Sequence, residues 1–391
     1  ATHILIYFSS PGRPYVAGLV SFMAVFAVFA HTSARPHMFN LLLGAVIVYL
    51  VEGIKDKRFS ARWLWLIPPL MVVWVNLHSG FLLGMVILGV YMVGETAAFL
   101  FGGDERVLTT ADLRLLVIVT AVTGLASLIN NNGLNVWLYP FETLSSEGMR
   151  LVIDEWQSPN FHNWYRMLFA LLLVGSLVLM ALNRHRPTVT ELLFIVGTGL
   201  AGLQSVRHIS LFIILAIPIV SRHLLALLLD IGLLKQSPST PEPNEIKPIQ
   251  NILNWGIALF LISFAIFFAG QSLSQTDEVI EFSFPTKAID FIEEEGLRQA
   301  RVFNQYGWGG YLIWRDIQPF IDGRADLYGD EFLLTYYQVV NVEEGWEEVL
   351  DEYAIRYILI AADGHLAAVL KKDEAWQLLY QDDLAVIFVR Q

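Results

Sequence analysis

The feature that most constrains this chain is a succession of long apolar segments. A helix needs about 20 mostly apolar residues to cross a bilayer. The sequence has nine segments near that length, following an apolar stub at 3–9. They lie at 16–31, 37–52, 63–77, 81–101, 113–129, 164–182, 190–204, 208–229 and 251–271. We therefore predict a polytopic α-helical membrane protein with about nine spans.

Composition supports this class and excludes others. Only 16% of the residues are charged, whereas soluble proteins carry about 25%, and 55% are hydrophobic. The many aromatic residues, which include 11 Trp, are typical of membrane interfaces. A soluble enzyme, a disordered chain and a fibrous repeat are thereby excluded. The chain has no cysteine, which excludes disulfides, thiolate metal sites and a cysteine nucleophile.

Charge divides the chain into two domains. Residues 1–274 carry 16 basic and 14 acidic side chains, whereas residues 275–391 carry 9 basic and 23 acidic ones. We predict a transmembrane domain over 1–274, with a Pro-rich linker at 235–250 before the last span at 251–271. Residues 275–391 form an acidic domain, whose charge argues against nucleic acid or an anionic lipid surface as its partner.

Lysine and arginine predict the orientation, because they collect in cytoplasmic loops. Four loops agree on one topology. They are the loop 53–62, the loop flanked by Arg106 and Arg114, the loop 183–189 with Arg184 and Arg186, and the linker 235–250. If these loops are cytoplasmic, the last span carries residues 275–391 to the extracytoplasmic side. The sequence begins with Ala1 rather than methionine and opens on an apolar stub, so we expect further residues upstream.

Polar clusters at span ends fall on the predicted outer face. Their candidate binding residues are Arg35, His37, Asn76, His78, Trp156, Arg207 and His208. Arginine binds phosphate through paired charge-assisted hydrogen bonds, and histidine can add a donor or move a proton. Asp154 or Glu155 can act as a general base on a hydroxyl, and Trp156 can stack on a sugar. The chemistry that suits this face is recognition of a phosphorylated lipid.

Plainer roles remain open for the same residues. Arg35 and Arg207 can reach headgroup phosphates as ordinary interfacial residues, and Asn76 can cap a helix. Trp156 can belong to an interfacial aromatic belt. The histidines lack the His-x-x-x-His spacing of a metal site, so no ligand set is identified and a divalent cofactor stays open.

Residues 275–391 alternate between helical and extended patterns, which predicts a small α/β domain. The predicted helices lie at 285–295, 330–340, 344–352 and 364–372, with a further helix after the glycine turn 306–311. The predicted strands lie at 301–304, 319–322, 356–360, 376–380 and 385–389. Asp322, Arg324 and Asp326 follow one predicted strand, where loops of α/β folds often carry function. An ion pair that only shapes the loop is the alternative.

Several of these stretches together resemble a group of uncharacterised prokaryotic membrane proteins. They are Arg35-Pro-His37, Trp74-x-Asn76-x-His78-x-Gly80, Glu155-Trp-Gln-Ser-Pro159, Arg207-His208, Phe303-Asn304 through Gly307-Trp-Gly-Gly-Tyr-Leu312, Asp322-Gly-Arg324 and Tyr328-Gly329. That group is similar in architecture to the type C membrane glycosyltransferases. The resemblance implies a transferase that uses a polyprenyl-phosphate sugar in a prokaryotic cytoplasmic membrane. It also implies a catalytic acid in a first outer loop, which this sequence does not contain before residue 31.

Three hypotheses follow. The first is a glycosyltransferase-like protein acting at the outer face on a polyprenyl-phosphate-linked sugar. The second is a non-catalytic subunit that docks a protein partner through its acidic outer domain. The third, a transporter, is disfavoured because Glu95 and Glu191 fall near span ends and the two halves of the sequence do not match.

Overall fold

Helices account for most of the described residues in the first two thirds of the chain. The computed structural model describes residues 2–9, 14–28, 37–102, 107–184, 186–234 and 273–391, with scattered positions between 252 and 271. Two units separate, one of Ala1–Ser146 with Ile153–Gln236 and one of Glu147–Val152 with Ser237–Gln391. The predicted linker 235–250 and most of the predicted span 251–271 lie outside the described residues.

The first unit is a helical bundle. Its helices are α1 (Thr2–Ser9), α2 (Pro14–Val28), α3 (Met38–Lys55), α4 (Ile67–Leu77), α5 (Leu82–Phe101), α6 (Thr110–Ala126), α7 (Tyr139–Ser145), α9 (Trp164–Leu182), α10 (Val189–Gln204) and α11 (Ile209–Asp230). Short 3₁₀ turns precede α4, α5 and α11. The helix between α7 and α9, α8 (Glu147–Val152), belongs to the second unit.

Within the described part of the chain, four helical segments are long and apolar enough to cross a membrane. They are Met38–Lys55, Ser79–Phe101, Trp164–Leu182 and Val206–Asp230, and each overlaps a predicted span. Ala61–Leu77 and Val189–Gln204 are shorter apolar segments at two further predicted spans. The structure thus agrees with a helical membrane protein, and the count of nine spans stays a prediction.

Helix α11 forms the centre of the first unit. It is buried along most of its length, as expected for a helix that is apolar all round. Phe212 packs edge-on against Phe169 of α9, with ring centroids 5.2 Å apart. Helices α5 and α10 touch closely because Gly94 faces Thr190, where an added Cβ would collide with the threonine side chain. Small residues allow such contacts between helices in membranes.

The second unit is a small α/β fold. Its helices are α8, α12 (Thr276–Ser283), α13 (Thr286–Glu294), α14 (Gly309–Trp314), α15 (Ala325–Val340), α16 (Trp346–Glu352) and α17 (His365–Leu370). Its strands are β1 (Val302–Asn304), β2 (Tyr357–Ala361), β3 (Trp376–Gln381) and β4 (Ala385–Arg390). They form a mixed sheet of order β1-β2-β4-β3, in which only the β1–β2 pair is parallel among the described strands.

The predicted strand at 319–322 is wrong, since this fully described segment has no strand partner. The side chain of Asn304, at the end of β1, holds it instead. The Asn304 amide accepts hydrogen bonds from the backbone of Phe320 at 2.8 Å and Ile321 at 3.3 Å, and donates one to the Ile321 carbonyl at 2.9 Å. A buried side chain therefore replaces the neighbouring strand that the sequence pattern implied.

Helix α8 packs against α15 within the second unit. The backbone N–H of Gly148 donates to the Asp330 carboxylate at 2.8 Å. A Cβ at Gly148 would lie 2.7 Å from the Cβ of Leu333, so only glycine fits this approach without a shift. Residues 147–152 fall between the predicted spans 113–129 and 164–182, whereas the structure assigns them to the α/β unit.

Candidate functional site

A large cavity opens inside the first unit, at the end of the bundle where three histidines lie. His37 and His208 occupy the N-cap positions of α3 and α11, and His78 precedes the turn that begins α5. We call this end of the bundle the histidine end. The cavity measures about 620 Å³, which is within the range of sites for small molecules and lipid-sized ligands.

The polar lining of the cavity is confined mostly to the histidine end, and its walls are apolar. The polar or amphipathic lining residues are His37, Asn40, His78, Ser79, Thr143, Glu155, Trp156, Thr198, Arg207, His208 and Ser210. Apolar side chains of α5, α10 and α11 line the rest, and those of α10 reach from Ala201 to Leu193. Eight helical residues span about 12 Å. The cavity therefore suits an amphiphile with a polar head and an apolar chain.

Six of the residues singled out in the sequence line this cavity. They are His37, His78, Glu155, Trp156, Arg207 and His208. Asn76 lies elsewhere, because its amide donates to the carbonyls of Val72 and Ile129, both at 2.8 Å. Asp154 is exposed and does not line the cavity, which separates it from Glu155. Arg35 lies outside the described residues.

Arg207 and Trp156 form a cation–π pair at the cavity mouth. The Arg207 guanidinium lies over the Trp156 ring, 4.8 Å from its centroid. Two further hydrogen bonds join the same segments, from Val206 N–H to the Gln157 carbonyl at 3.0 Å and from Ser205 Oγ to the Glu155 carbonyl at 2.9 Å. These contacts therefore fix the loop that carries Glu155 relative to the junction between α10 and α11.

His78 is fixed by a chain of side-chain hydrogen bonds. The Trp74 indole donates to Asn40 Oδ1 at 2.8 Å, which orients the amide so that its nitrogen lies 3.1 Å from His78 Nδ1. The Gly80 N–H also donates to Nδ1, at 2.9 Å. Since two donors face Nδ1, the neutral ring carries its proton on Nε2. Sequence reasoning missed Asn40, although it is a lone amide one turn after His37.

His208 supplies a further polar atom at this end. Its ring is partly buried, and Nδ1 has no hydrogen-bond partner among the described residues. A buried polar atom of this kind is costly unless a ligand or water satisfies it. His208 is adjacent to Arg207, so a permanent cation and a hydrogen-bonding ring meet at the mouth. An anionic head group fits this combination.

No known family model matches this chain, and no curated protein matches it. The chemistry of the cavity is therefore inferred from its own residues. Glu155 is the one carboxylate among the described residues that line it. No group of three potential His, Asp or Glu ligands comes together within the described ranges, so the structure offers no metal site to build on there.

The other predicted site, at Asp322, Arg324 and Asp326, is a closed ion pair in the second unit. The buried Asp322 carboxylate accepts three kinds of hydrogen bond. They come from the Arg324 guanidinium, from the Arg324 backbone N–H at 2.9 Å and from the Tyr328 hydroxyl at 2.8 Å. These contacts, the Arg324 guanidinium above all, lower the pKa of Asp322 to about 2. Asp326 is exposed in the first turn of α15. Asp322 thus shapes the loop that precedes α15.

Proposed function

We propose that the chain is a membrane protein that binds a phosphate-bearing lipid in the cavity, with the phosphate at the histidine end. The observation that carries this proposal is the convergence of Arg207, Trp156, His208 and His78 on the polar end of an apolar cavity. An arginine beside histidine donors favours a phosphate, and the apolar walls favour a lipid chain. Lipid phosphates lie at the depth where spanning helices end.

The resemblance to type C glycosyltransferases implies sugar transfer from a polyprenyl phosphate, and we assign this reaction to the cavity from the residues that line it, not from the loop in which that family carries its catalytic acid. In this reaction, an acceptor hydroxyl gives its proton to Glu155 as its oxygen bonds to the anomeric carbon of the sugar. The bond between that carbon and the phosphate oxygen breaks, and polyprenyl phosphate leaves. Glu155 takes the role of base because it lines the cavity, whereas Asp154 is exposed. Trp156 offers its ring to the sugar.

The proposal includes the predicted topology. The chain crosses a prokaryotic cytoplasmic membrane about nine times, with the histidine end and residues 275–391 on the extracytoplasmic side. The basic loops at 53–62 and 183–189 support this orientation through the positive-inside rule. A donor lipid would then meet the cavity in the outer leaflet.

Lipid binding is tested directly with a polyprenyl phosphate and the matching neutral polyprenol. For the purified protein in detergent, we expect the phosphate to bind at least tenfold more tightly. Arg207→Gln should weaken phosphate binding by about tenfold to a hundredfold, since a hydrogen bond to a charged group contributes about 1.5–3 kcal/mol. Arg166→Gln is the matched control, because Arg166 lies in the first turn of α9 and does not line the cavity. Equal affinity for the two lipids would refute the proposal.

Transfer is tested separately from binding. With a polyprenyl-phosphate sugar as donor, Glu155→Gln should abolish transfer while leaving affinity for the donor within threefold. Asp154→Asn is the control at the neighbouring position and should keep transfer. Transfer by Glu155→Gln at the wild-type rate would remove Glu155 from the reaction.

A second candidate function is the docking of a protein partner by the second unit. The observation that favours it is a run of six exposed carboxylates around α16, at Glu343, Glu344, Glu347, Glu348, Asp351 and Glu352. Such a face suits a basic partner surface. Co-purification from the native membrane should then be lost when Glu343, Glu344, Glu347 and Glu348 are all replaced by Gln. A partner retained by that variant would argue against this surface.

A further inference from the structure

A second group of buried charged side chains lies at the end of the bundle opposite the histidine end. Glu52 on α3, Glu95 on α5, Glu191 on α10 and Arg222 on α11 belong to it. Arg222 is 14 residues from His208 along α11, a distance of about 21 Å. We call the end of the bundle that holds this group the ion-pair end. The predicted spans place Glu95 and Glu191 near their ends, a position that disfavours a transporter, whereas the structure buries both carboxylates in ion pairs inside the bundle.

Arg222 joins three helices at the ion-pair end. Its guanidinium donates to Glu52 at 2.8 Å and also to Glu191. A second pair, Lys55 with Glu95, joins α3 to α5. The three carboxylates and the lysine in these pairs are buried. An ion pair thus joins each of four helices to another of the four. These helices are the ones whose side chains line the large cavity, namely α3, α5, α10 and α11.

A small cavity at the ion-pair end shares walls with the large one. It measures about 10 Å³, close to the space that one water needs. Its lining includes Glu52, Glu191 and Arg222, together with Phe194 and Leu215. Phe194 and Leu215 also line the large cavity, so these two side chains form the partition between the two spaces.

The partition is connected to the ion pairs by Tyr91. The Tyr91 ring packs edge-on against Phe194 with centroids 5.2 Å apart, and its hydroxyl donates to Glu52 at 3.0 Å. Pro218 lies inside α11 between Leu215 and Arg222 and lines the small cavity. Proline removes one helical hydrogen bond and weakens the helix at that point. Pro218 is therefore a hinge in α11 about which Arg222 can move relative to Leu215.

Buried ion pairs stabilise a fold less than apolar packing of the same volume would. Charges inside a membrane bundle commonly mark pathways for ligands or ions. We propose that the Glu52–Arg222–Glu191 ion pairs are a gate across a path through the bundle, and that the protein moves a phosphate-bearing amphiphile between the two membrane faces. In the structure the gate is closed, with the large cavity on one side of the Phe194–Leu215 partition and the ion pairs on the other. The identity of the ligand rests on the proposed lipid-phosphate site.

The gate is tested by labelling introduced cysteines, which needs no ligand. The chain has no native cysteine, so an introduced thiol is the one labelling site in each variant. Thr198→Cys places a thiol in the large cavity, and Ile219→Cys places one in the small cavity. In vesicles that contain the full chain, a membrane-impermeant maleimide added at the histidine end should label the Thr198→Cys variant but not the Ile219→Cys variant. Adding Arg222→Gln to Ile219→Cys should raise its labelling at least fivefold. Arg58→Gln is the matched control, since Arg58 forms an exposed pair with Asp56 beyond the C-terminal end of α3.

Movement is measured in the same vesicles with a fluorescent phosphatidic acid and an impermeant quencher. Wild-type protein should raise the exchange rate between leaflets at least threefold above protein-free vesicles, and Arg222→Gln should raise it further. If Arg222→Gln does not fold, Tyr91→Phe serves, because it keeps the ring and removes the hydrogen bond to Glu52. Unchanged labelling of the Ile219→Cys thiol in a folded gate variant would overturn the gate.

The two proposals fail in different ways. Tight binding of a polyprenyl phosphate, combined with no exchange in wild type or gate variants, would overturn movement and leave lipid binding intact. Exchange that is unaffected by Arg207→Gln would support the path but remove the large-cavity mouth as its phosphate site. Exchange by Arg222→Gln at the protein-free rate would overturn the proposed movement outright.

Discussion

The guanidinium of Arg207 lies over the ring of Trp156, 4.8 Å from its centroid, at the mouth of the large cavity. This contact joins the junction between α10 and α11 to the loop that carries Glu155. An arginine held on an aromatic face keeps its donor edge directed outward from the ring, where it can meet a phosphate. The Trp156 ring therefore orients the Arg207 cation, whose charge neutralises the phosphate.

Removing the ring should weaken lipid-phosphate binding without removing the cation. A cation–π contact contributes about 0.5–2 kcal/mol, so Trp156→Leu should reduce affinity for a polyprenyl phosphate roughly 2- to 30-fold, and Trp156→Phe should lose less. Calorimetric titration of the purified protein measures this. Trp164→Leu is the control, because Trp164 is 66% exposed and does not line the cavity. An equal loss in both leucine variants would mean that the Arg207 contact is irrelevant.

A second prediction concerns Gly80, which allows Asn40 to reach His78. A Cβ at Gly80 would collide with the Asn40 amide. Gly80→Ala should displace this amide, disorder the His78 ring and lower stability by about 1–3 kcal/mol. Thermal unfolding in detergent and the affinity for a polyprenyl phosphate should both fall. Gly89→Ala, in a part of α5 with open space around it, should leave both unchanged or slightly raise stability.

The helical class could be predicted from sequence because a bilayer imposes a length and an apolar composition on each span. Helices Met38–Lys55 and Trp164–Leu182 fall where the apolar runs predicted them. The polar motifs around His37, His78 and Arg207 could be predicted to share one end, since short connections return the chain to the same face. That they share one cavity with Glu155 follows from three-dimensional packing.

Other features depend on contacts that sequence patterns do not express. The segment 319–322 has the adjacent apolar residues Phe320 and Ile321 of a short buried strand, but the Asn304 side chain occupies its backbone groups. Residues 147–152 look like ordinary loop until Gly148 meets Leu333, 185 residues later in the chain. The link between Glu52 and Arg222 spans 170 residues, so no local signal could pair them.

The third prediction concerns Asn304. Its amide makes hydrogen bonds to the backbone of Gln305, Phe320 and Ile321 and is fully buried. Asn304→Ala would leave several buried backbone groups without partners, at about 1–3 kcal/mol each. We expect the second unit to lose roughly 3 kcal/mol of stability, seen as faster hydrogen exchange of β1 and β2 in the full chain. Asn341→Ala, at the exposed end of α15, should leave those rates unchanged.

The last prediction is a pH dependence of the second unit through Asp322. Its pKa in the folded chain is about 2, below the ordinary value of 3.8. A lowered pKa stabilises the fold above the unfolded-state pKa, and this stability is lost as the pH falls from about 4 toward 2. Hydrogen exchange of β1 in the full chain, corrected for the intrinsic pH effect, should therefore lose protection across that window.

Substitution separates this residue from the many other carboxylates of the unit. Asp322→Asn should lower the free energy of unfolding by roughly 2 kcal/mol at pH 6 and remove most of the difference between pH 4 and pH 2. Asp326→Asn, at an exposed position four residues away, should keep the wild-type profile. A pH profile that Asp322→Asn leaves unaltered would assign acid sensitivity to another carboxylate. Because Arg324 retains its charge at every pH of this experiment, the part of the wild-type loss that Asp322→Asn removes reports protonation of the Asp322 carboxylate and not a change at Arg324.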